Sequence, residues 1–241
     1  MRPKDRCRAA TRVARGARKS YNRGMSFKGE VEIRCASCSE PFETPVWSFV
    51  HGGTDTALRD QIKARECNLL LCPACGAAFM PEVSWIYYEP DAEIMAFVFP
   101  EAWRAEEAAW RDKMKADFAQ MRTVLGDRLP VDMEPEVFFG QDDLGALLEK
   151  EDWRIDERDV MLEYAKELDL SVYKARPSWA RTNGAPAEFP YKGKGAPTRE
   201  GLIAGMQALI KANDALTGWS DFLARFEKDK DAILPPAAKK K

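Results

Sequence analysis

Two cysteine pairs constrain this chain more than any other feature of its sequence. Two residues separate Cys35 from Cys38, and two residues separate Cys72 from Cys75. This spacing lets one tight turn direct both sulfurs toward a common point, and two such turns supply the four thiolates that zinc binds tetrahedrally. The sequence therefore predicts a closed structural zinc site with Cys35, Cys38, Cys72 and Cys75 as the metal ligands.

Alternatives to structural zinc remain open. The 33 residues between Cys38 and Cys72 exceed the gap of standard zinc ribbons, so the intervening segment must loop out. The run Cys72-Pro73-Ala74-Cys75 also has the spacing of a disulfide oxidoreductase, although such a motif begins a helix and the residues that follow here favour strand. A catalytic zinc requires an open coordination position, which four cysteines close. An iron–sulfur cluster and ordinary core cysteines are the remaining alternatives.

The other reactive side chains do not form a recognisable catalytic constellation. Cys67 is expected to be a buried small residue, and Cys7 is expected to be exposed in a basic segment. His51 is the single histidine, and it precedes Gly52 and Gly53 in a predicted turn. We expect it to be exposed, with a position near the zinc as the alternative. One histidine is not enough to assemble a nucleophilic triad from sequence, so no catalytic residue is predicted.

The composition indicates a globular protein in a reducing compartment. The chain has 241 residues, of which 45% are hydrophobic, enough for one large or two modest domains. No apolar run approaches the roughly 20 residues that span a bilayer, and no secretory signal is found. Cysteines at metal-binding spacing without an export signal are typical of the cytoplasm, where we expect this protein.

Charge is distributed unevenly along the chain. Residues 1–24 hold nine Lys/Arg and one acidic residue, which leaves 28 basic and 38 acidic residues in the remainder. Because so acidic a body repels phosphate backbones, we do not expect it to bind nucleic acid. Residues 1–27 are predicted to be a disordered basic arm. A nucleic-acid or membrane-surface tail and a transit peptide are the alternatives for this arm.

Residues 28–100 are predicted to form an antiparallel β module that zinc holds together. Thr54 or Asp55 is expected to cap a helix inserted between the two cysteine pairs. Pro45 suggests that the strand containing it lies at a sheet edge. The module would resemble a zinc ribbon with an inserted helix. Alternating and β-rich stretches place its strands at residues 30–34, 42–50, 68–71, 77–88 and 93–99.

A helical part is predicted to follow, which makes the fold class α+β. Trp103, Trp110, Met114, Phe118, Met121 and Leu125 form an apolar stripe that should pack on the β module. Helix-capping signals are expected at Thr198 and Ser220. The remaining predicted segments are a helical part over 101–175 with short helices at 142–150 and 157–168, a proline- and glycine-rich loop or linker over 176–197, and C-terminal helices with a frayed tail over 198–241.

The predicted β module resembles a known family. The motifs that carry the resemblance are Ile33-Arg34-Cys35, Pro41-Phe42, Val46-Trp47, Cys72-Pro73-Ala74-Cys75-Gly76, Tyr87-Tyr88-Glu89-Pro90 and Phe99-Pro100. Together they are similar to the CpXC domain of bacterial proteins, over residues 28–100 and more weakly to Leu168. Ala36 departs from the family, in which proline is frequent at that place. The resemblance implies zinc binding by the four cysteines, and it implies no catalytic residue.

These observations favour a non-enzymatic zinc-binding protein that acts as a cytoplasmic protein-interaction or scaffold module. An exposed apolar patch that includes Trp47 or Trp85 is expected for such a role. The alternatives are a nucleic-acid-binding zinc-ribbon regulator and a thiol-redox enzyme that uses the second cysteine pair. The sequence identifies neither the protein partner nor the oligomeric state.

Overall fold

The structure is a computed structural model that describes residues 25–125, 133–229 and 235–238. Most of the predicted basic arm, with Cys7, therefore lies outside the described residues. The same is true of the helix-stopping residues Gly126 and Pro130 and of the final three lysines. Residue 27, assigned to the arm, begins the first strand. Within the described residues, no helix combines the length and apolar character needed to cross a membrane.

The described residues form an α+β fold, as predicted. The strands are β1 (Phe27–Arg34), β2 (Pro41–His51), β3 (Leu70–Leu71), β4 (Ala78–Phe79), β5 (Trp85–Glu89), β6 (Ile94–Phe99), β7 (Glu136–Phe139), β8 (Ser171–Lys174) and β9 (Glu188–Tyr191). The α-helices are α1 (Thr56–Lys63), α2 (Glu107–Leu125), α3 (Asp142–Glu167), α4 (Pro177–Thr182), α5 (Arg199–Ala212) and α6 (Thr217–Lys228). A 3-10 helix, Glu101–Glu106, precedes α2.

The main sheet has five strands in the order β1-β2-β5-β6-β7. The pairs β1–β2 and β5–β6 are antiparallel, whereas β2–β5 and β6–β7 are parallel. Within residues 28–100 the predicted antiparallel pairing is confirmed for β1–β2, β3–β4 and β5–β6 but is wrong for β2–β5, because the long connection through α1 returns the chain in the same direction. The β-rich run at 77–88 is also divided, since β4 pairs with β3 in a separate small sheet.

The strand that contains Pro45 lies inside the sheet, between β1 and β5, so the edge-strand prediction is wrong. Proline is nevertheless tolerated, because β5 pairs only with the last three residues of β2, Phe49–His51. The half of β2 that contains Pro45 has a strand on one side only. At that half the missing N–H removes no bond from a second ladder.

Helices cover both faces of the sheet. Val50, Tyr87 and Ile94 face a core shared with Leu58 and Ile62 of α1 and Leu144 of α3. Alternate residues such as Tyr88 and Met95 face the opposite core, which Met114 and Phe118 of α2 complete. The predicted packing of the tryptophan–methionine stripe on the β module is thus confirmed for Met114 and Phe118. Coverage on both faces explains why β6 is an almost continuous apolar run.

The two short helices predicted for residues 142–150 and 157–168 are one helix, α3. The polar residues between them continue the helix because they have partners. The carboxylate of Glu151 forms an ion pair with the guanidinium of Arg154, one turn later, at 2.8 Å. The carboxylate of Asp152 forms an ion pair with the ammonium of Lys63 in α1 at 2.9 Å. The charged residues that suggested a break are thus paired within the helix or with α1, and Asp152 attaches α3 to α1.

The C-terminal part has its own hydrophobic cluster around the β8–β9 hairpin. Residues 176–197 were predicted to be a loop or linker, which is wrong, because this segment contains α4 and the fully buried strand β9. Pro177 begins α4, where its missing N–H costs no helical bond. Pro190 lies in β9, which pairs with β8 alone. Two of the prolines that suggested a loop thus stand where regular structure accepts them.

The helix-capping signals give mixed results. Thr198 caps α5 as predicted, because its hydroxyl accepts a hydrogen bond from the backbone N–H of Gly201 at 3.1 Å. The predicted cap at Ser220 is wrong, since α6 begins at Thr217. The predicted frayed tail is wrong for residues 235–238, because the backbone N–H of Arg176 donates to the carbonyl of Pro236 at 2.9 Å.

Candidate metal centre

Each cysteine pair lies in a turn that joins two antiparallel strands. The first pair lies between β1 and β2, and the second pair lies between β3 and β4. The two turns have the same hydrogen bonds. In each turn the N–H of the first cysteine donates to the carbonyl five residues later, at 3.0 and 2.9 Å. The N–H four residues after that cysteine donates back to its carbonyl, at 2.9 and 2.8 Å.

The turns also share a left-handed residue immediately after their second cysteine. Ser39 has φ 62° in the first turn, and Gly76 has φ 72° in the second. Glycine accepts this conformation readily, whereas serine adopts it at a cost. The two turns are therefore equivalent in backbone geometry although their sequences differ, and both aim their sulfurs at one point.

The four sulfurs converge. The Sγ atoms of Cys35 and Cys75 are 3.7 Å apart, as are those of Cys38 and Cys72, and all four lie within 4.8 Å of one another. A tetrahedral zinc with Zn–S bonds of about 2.3 Å separates its sulfurs by about 3.8 Å. The four cysteines are free thiols rather than disulfides. This set of donors fits a thiophilic metal ion.

One side of the cysteine cluster faces solvent and the other is buried. Cys35 and Cys72 are each 2% exposed, whereas Cys38 and Cys75 are exposed. The backbone N–H groups of Cys38 and Ser37 outweigh desolvation and lower the pKa of the Cys35 thiol to about 6. The N–H of Glu40 acts in the same direction on Cys38, but desolvation and the neighbouring thiols, Cys75 foremost, raise its pKa to about 12. Without a metal, neighbouring thiolates repel one another, and a bound cation would remove that conflict.

Two amide side chains attach the segment before the second cysteine turn, one to the main sheet and one to the start of α3. Asn68 donates to the backbone carbonyl of Trp47 at 3.0 Å and accepts from the N–H of Trp47 at 2.7 Å. Gln141, at the start of α3, donates to the carbonyl of Cys67 at 2.7 Å. The sequence alone does not predict either of these amide contacts. Asn68 has φ 63°, a conformation for which asparagine is enriched, but nothing in the sequence indicates its partner.

The remaining candidate residues lie apart from the cluster. Cys67 is fully buried as predicted, and desolvation raises its pKa to about 12. His51 is half-buried, with its ring against Tyr88, and it is not among the residues whose ligand atoms converge. Ser26 lies close to His51 and Asp55, but its hydroxyl contacts the carboxylate directly and accepts from the backbone N–H of His51. A catalytic triad instead has an imidazole between the hydroxyl and the carboxylate.

The described fold and cysteine cluster define an α+β protein whose cysteines could hold a metal ion. Residues 33–151 match the family model of CpXC proteins, a range that contains all four cysteines and extends into α3. The match confirms the resemblance to the CpXC family that the sequence motifs indicated. No curated protein and no solved structure matches the chain.

Proposed function

We propose that Cys35, Cys38, Cys72 and Cys75 hold one zinc ion in a closed structural site of a non-enzymatic, cytoplasmic interaction module. The observation that carries this proposal is the convergence of four sulfurs from two turns of the same geometry. Four thiolates complete a tetrahedral shell and leave no position for a substrate or a reactive water. Two cysteine turns that each join a pair of antiparallel strands support the proposal of a zinc-ribbon-like site.

The zinc would supply stability that the β3–β4 hairpin cannot supply itself. Each of its strands has only two residues, and an isolated hairpin of this size is not stable in water. Zinc binding to isolated structural sites releases on the order of 10 kcal/mol or more at neutral pH. The metal would thereby connect this hairpin to the end of the main sheet.

An apolar surface beside the cysteine cluster supports the interaction role. Leu69, Leu71 and Met80 are 46%, 70% and 43% exposed, and they flank the second cysteine turn. The patch expected around Trp47 or Trp85 is not the candidate, because Trp85 is 5% exposed and Lys28 covers the ring of Trp47. Apart from the cysteine thiolates themselves, residues 35–39 and 72–80 carry no charged side chain, so an apolar partner surface suits this end of the molecule.

Metal content tests the site directly. We expect one zinc per chain by elemental mass spectrometry of protein purified without chelator, with four thiols that become reactive only after chelation. Cys72→Ser should release the metal and make residues 28–100 sensitive to protease. Cys67→Ala removes a buried thiol outside the cluster and should retain the zinc. Metal-free protein that forms a reversible Cys72–Cys75 disulfide would instead favour thiol-redox chemistry.

Site-specific photo-crosslinking in cells tests the interaction role. A photoreactive residue in place of Leu71 should capture one discrete protein, and the capture should disappear in the Cys72→Ser background. The matched control position is Val124 of α2, which is 73% exposed but distant in sequence from the cysteines. Equal capture from both positions, or none from position 71, would contradict a docking surface at the cysteine cluster.

A further inference from the structure

Helix α3 carries a concentration of acidic side chains. Its 26 residues include ten acidic and four basic residues, a net charge of −6. Asp142, Asp143, Glu151, Asp152 and Asp159 form ion pairs within the described residues. In that same part of the structure no cation lies within ion-pairing distance of Glu149, Asp156, Glu157, Glu163 and Glu167.

Three of these carboxylates lie on one face of the helix. Glu149, Asp156 and Glu163 are spaced by seven residues, and all three are exposed. Trp153 lies four residues after Glu149 and three before Asp156, and Val160 has the same relation to the next two carboxylates. Residues three or four apart are neighbours on a helix surface, so the five side chains form one strip, here called the acidic face.

The acidic face also exposes two large apolar side chains to solvent. Trp153 is 71% exposed and Val160 is 44% exposed. Tryptophan is seldom so exposed, and its ring binds guanidinium and ammonium groups through their charge. Lys150 and Arg154 also adjoin Trp153, but acidic side chains outnumber basic ones along α3, so the acidic face is suited to a segment rich in arginine and lysine.

The chain contains such a segment. Residues 1–24 hold nine of its 37 Lys/Arg and only one of its 39 acidic residues. The described chain begins at Met25, next to Ser26, whose N–H donates to Asp55 at 3.1 Å immediately before α1. From there α1, about 12 Å long, leads toward Lys63 and its ion pair with Asp152 of α3. A stretch of 24 residues can extend to about 80 Å, so its length does not limit reach.

We propose that residues 1–24 of the chain bind the acidic face of α3 in the same molecule. Tethering keeps the two at an effective concentration on the order of millimolar, which makes the intramolecular contact favoured over capture by a second copy. The contact would place arginine side chains on Trp153 and neutralise the carboxylates that have no partner among the described residues.

Zero-length carbodiimide cross-linking of the full-length chain tests the contact. The amines of Lys4 and Lys19 should become linked to Glu149, Asp156 or Glu163, as mapped by mass spectrometry. These links should be lost in 1 M salt, where the Debye length is about 3 Å instead of about 10 Å at 0.1 M. Links instead to the exposed acidic residues of β1 and β2, which are nearer along the chain, would overturn the proposal.

Two full-length variants and one control variant separate binding from mere proximity while leaving every reactive carboxylate and both lysines in place. Trp153→Ala should lower the yield of α3 cross-links, whereas Val124→Ala, at an equally exposed position of α2, should not. Replacement of Arg6, Arg8, Arg12 and Arg15 by glutamine should also lower the yield. Thermal melts of each variant confirm folding, and yields equal to that of the unmodified chain would contradict the proposal.

Mixing isotopically labelled and unlabelled chains identifies which molecule supplies the basic segment. Cross-linked peptides should carry a single isotope composition, as expected for a contact within one chain. Mixed-isotope peptides would overturn the intramolecular assignment and show that the segment of one copy binds the acidic face of another.

Discussion

At the scale of single residues, the two cysteine turns have the same backbone conformation immediately after their second cysteine but different residues there. Ser39 and Gly76 both have positive φ, but only Gly76 adopts it without strain from a side chain. A Cβ added to Gly76 would meet nothing within 4 Å, so its glycine is required by conformation and not by crowding. Substitutions at Ser39 and Gly76 therefore measure how much backbone strain in these turns affects stability.

We expect Ser39→Gly to raise the free energy of unfolding by about 0.5–1 kcal/mol, because it relieves a left-handed serine. Gly76→Ala should lower the free energy of unfolding by about 1 kcal/mol, because it places a side chain on a left-handed residue. Urea denaturation of both variants with a full complement of metal measures the difference. Changes of the same sign in the two variants would show that the turns are not equivalent.

At the scale of elements, Asn68 acts as a short substitute for a strand beside β2. Its side chain bonds both the N–H and the carbonyl of Trp47, on a stretch of β2 that β5 does not reach. The amide thereby joins the β3–β4 hairpin, and with it the second cysteine turn, to the main sheet.

Asn68→Gly keeps the positive φ and removes the two hydrogen bonds, and we expect it to cost about 2 kcal/mol of stability. Asn68→Ala removes the same bonds and adds backbone strain, so its cost should reach about 3 kcal/mol. Both variants should also release metal to a chelator faster than the parent chain. Unchanged release rates would mean that the cysteine turns hold together without this link to β2.

Helix α5 packs closely on β9 at Gly205, which predicts that a larger residue there destabilises the fold. A Cβ on Gly205 would lie 2.4 Å from the carbonyl oxygen of Pro190, whereas a Cβ on Gly218 of α6 would have its nearest neighbour at 3.4 Å. Gly205→Ala should therefore cost roughly 3 kcal/mol, and Gly218→Ala should be neutral or stabilising by up to about 0.5 kcal/mol. Thermal denaturation compares the two; equal effects would contradict the tight α5–β9 contact.

At the scale of the whole molecule, Glu93 connects the C-terminal part to the main sheet. Its carboxylate accepts from the hydroxyl of Ser178 at 2.5 Å and pairs with Arg176 at 3.1 Å, while Arg181 donates to the carbonyl of Glu93 at 2.6 Å. Burial raises the pKa of Glu93, but the bonds from Ser178 and Arg176 outweigh burial, and the net shift is downward. The ionised carboxylate is thus favoured in the folded state.

A lowered pKa in the folded state means that stability is present above the unfolded value, near pH 4.3, and is lost as pH falls through the folded value. Glu93→Gln should therefore be less stable than the parent chain at pH 6. The difference should shrink as the pH falls below the unfolded value and through the lower folded value, because the parent carboxyl then becomes protonated as well. Urea denaturation across this range measures the effect, and a constant difference between the two proteins would contradict it.

Sequence reasoning succeeded where a local pattern has one structural meaning. The cysteine spacing, the helix inserted between the two cysteine pairs, and the cap at Thr198 are of this kind. It failed where the outcome depends on distant partners. The parallel pairing of β2 with β5 joins residues about 37 positions apart, and Pro45 gives no sign of it. Likewise, α3 continues past Glu151 and Asp152 because Arg154, Arg181 and Lys63 lie opposite them.

The parallel pairing of β2 with β5 also bears on the order in which this chain folds. Hairpins β1–β2 and β5–β6 can form from neighbouring residues, but β2 and β5 meet only after the chain has passed through a long loop that contains α1 and the second cysteine turn. Closing that loop is the slow, entropically opposed event. A metal ion bound by both cysteine turns would hold Cys72 close to the start of β2 before β5 pairs, which would shorten the loop that remains to be closed. The ion would then speed folding as well as stabilise the folded state.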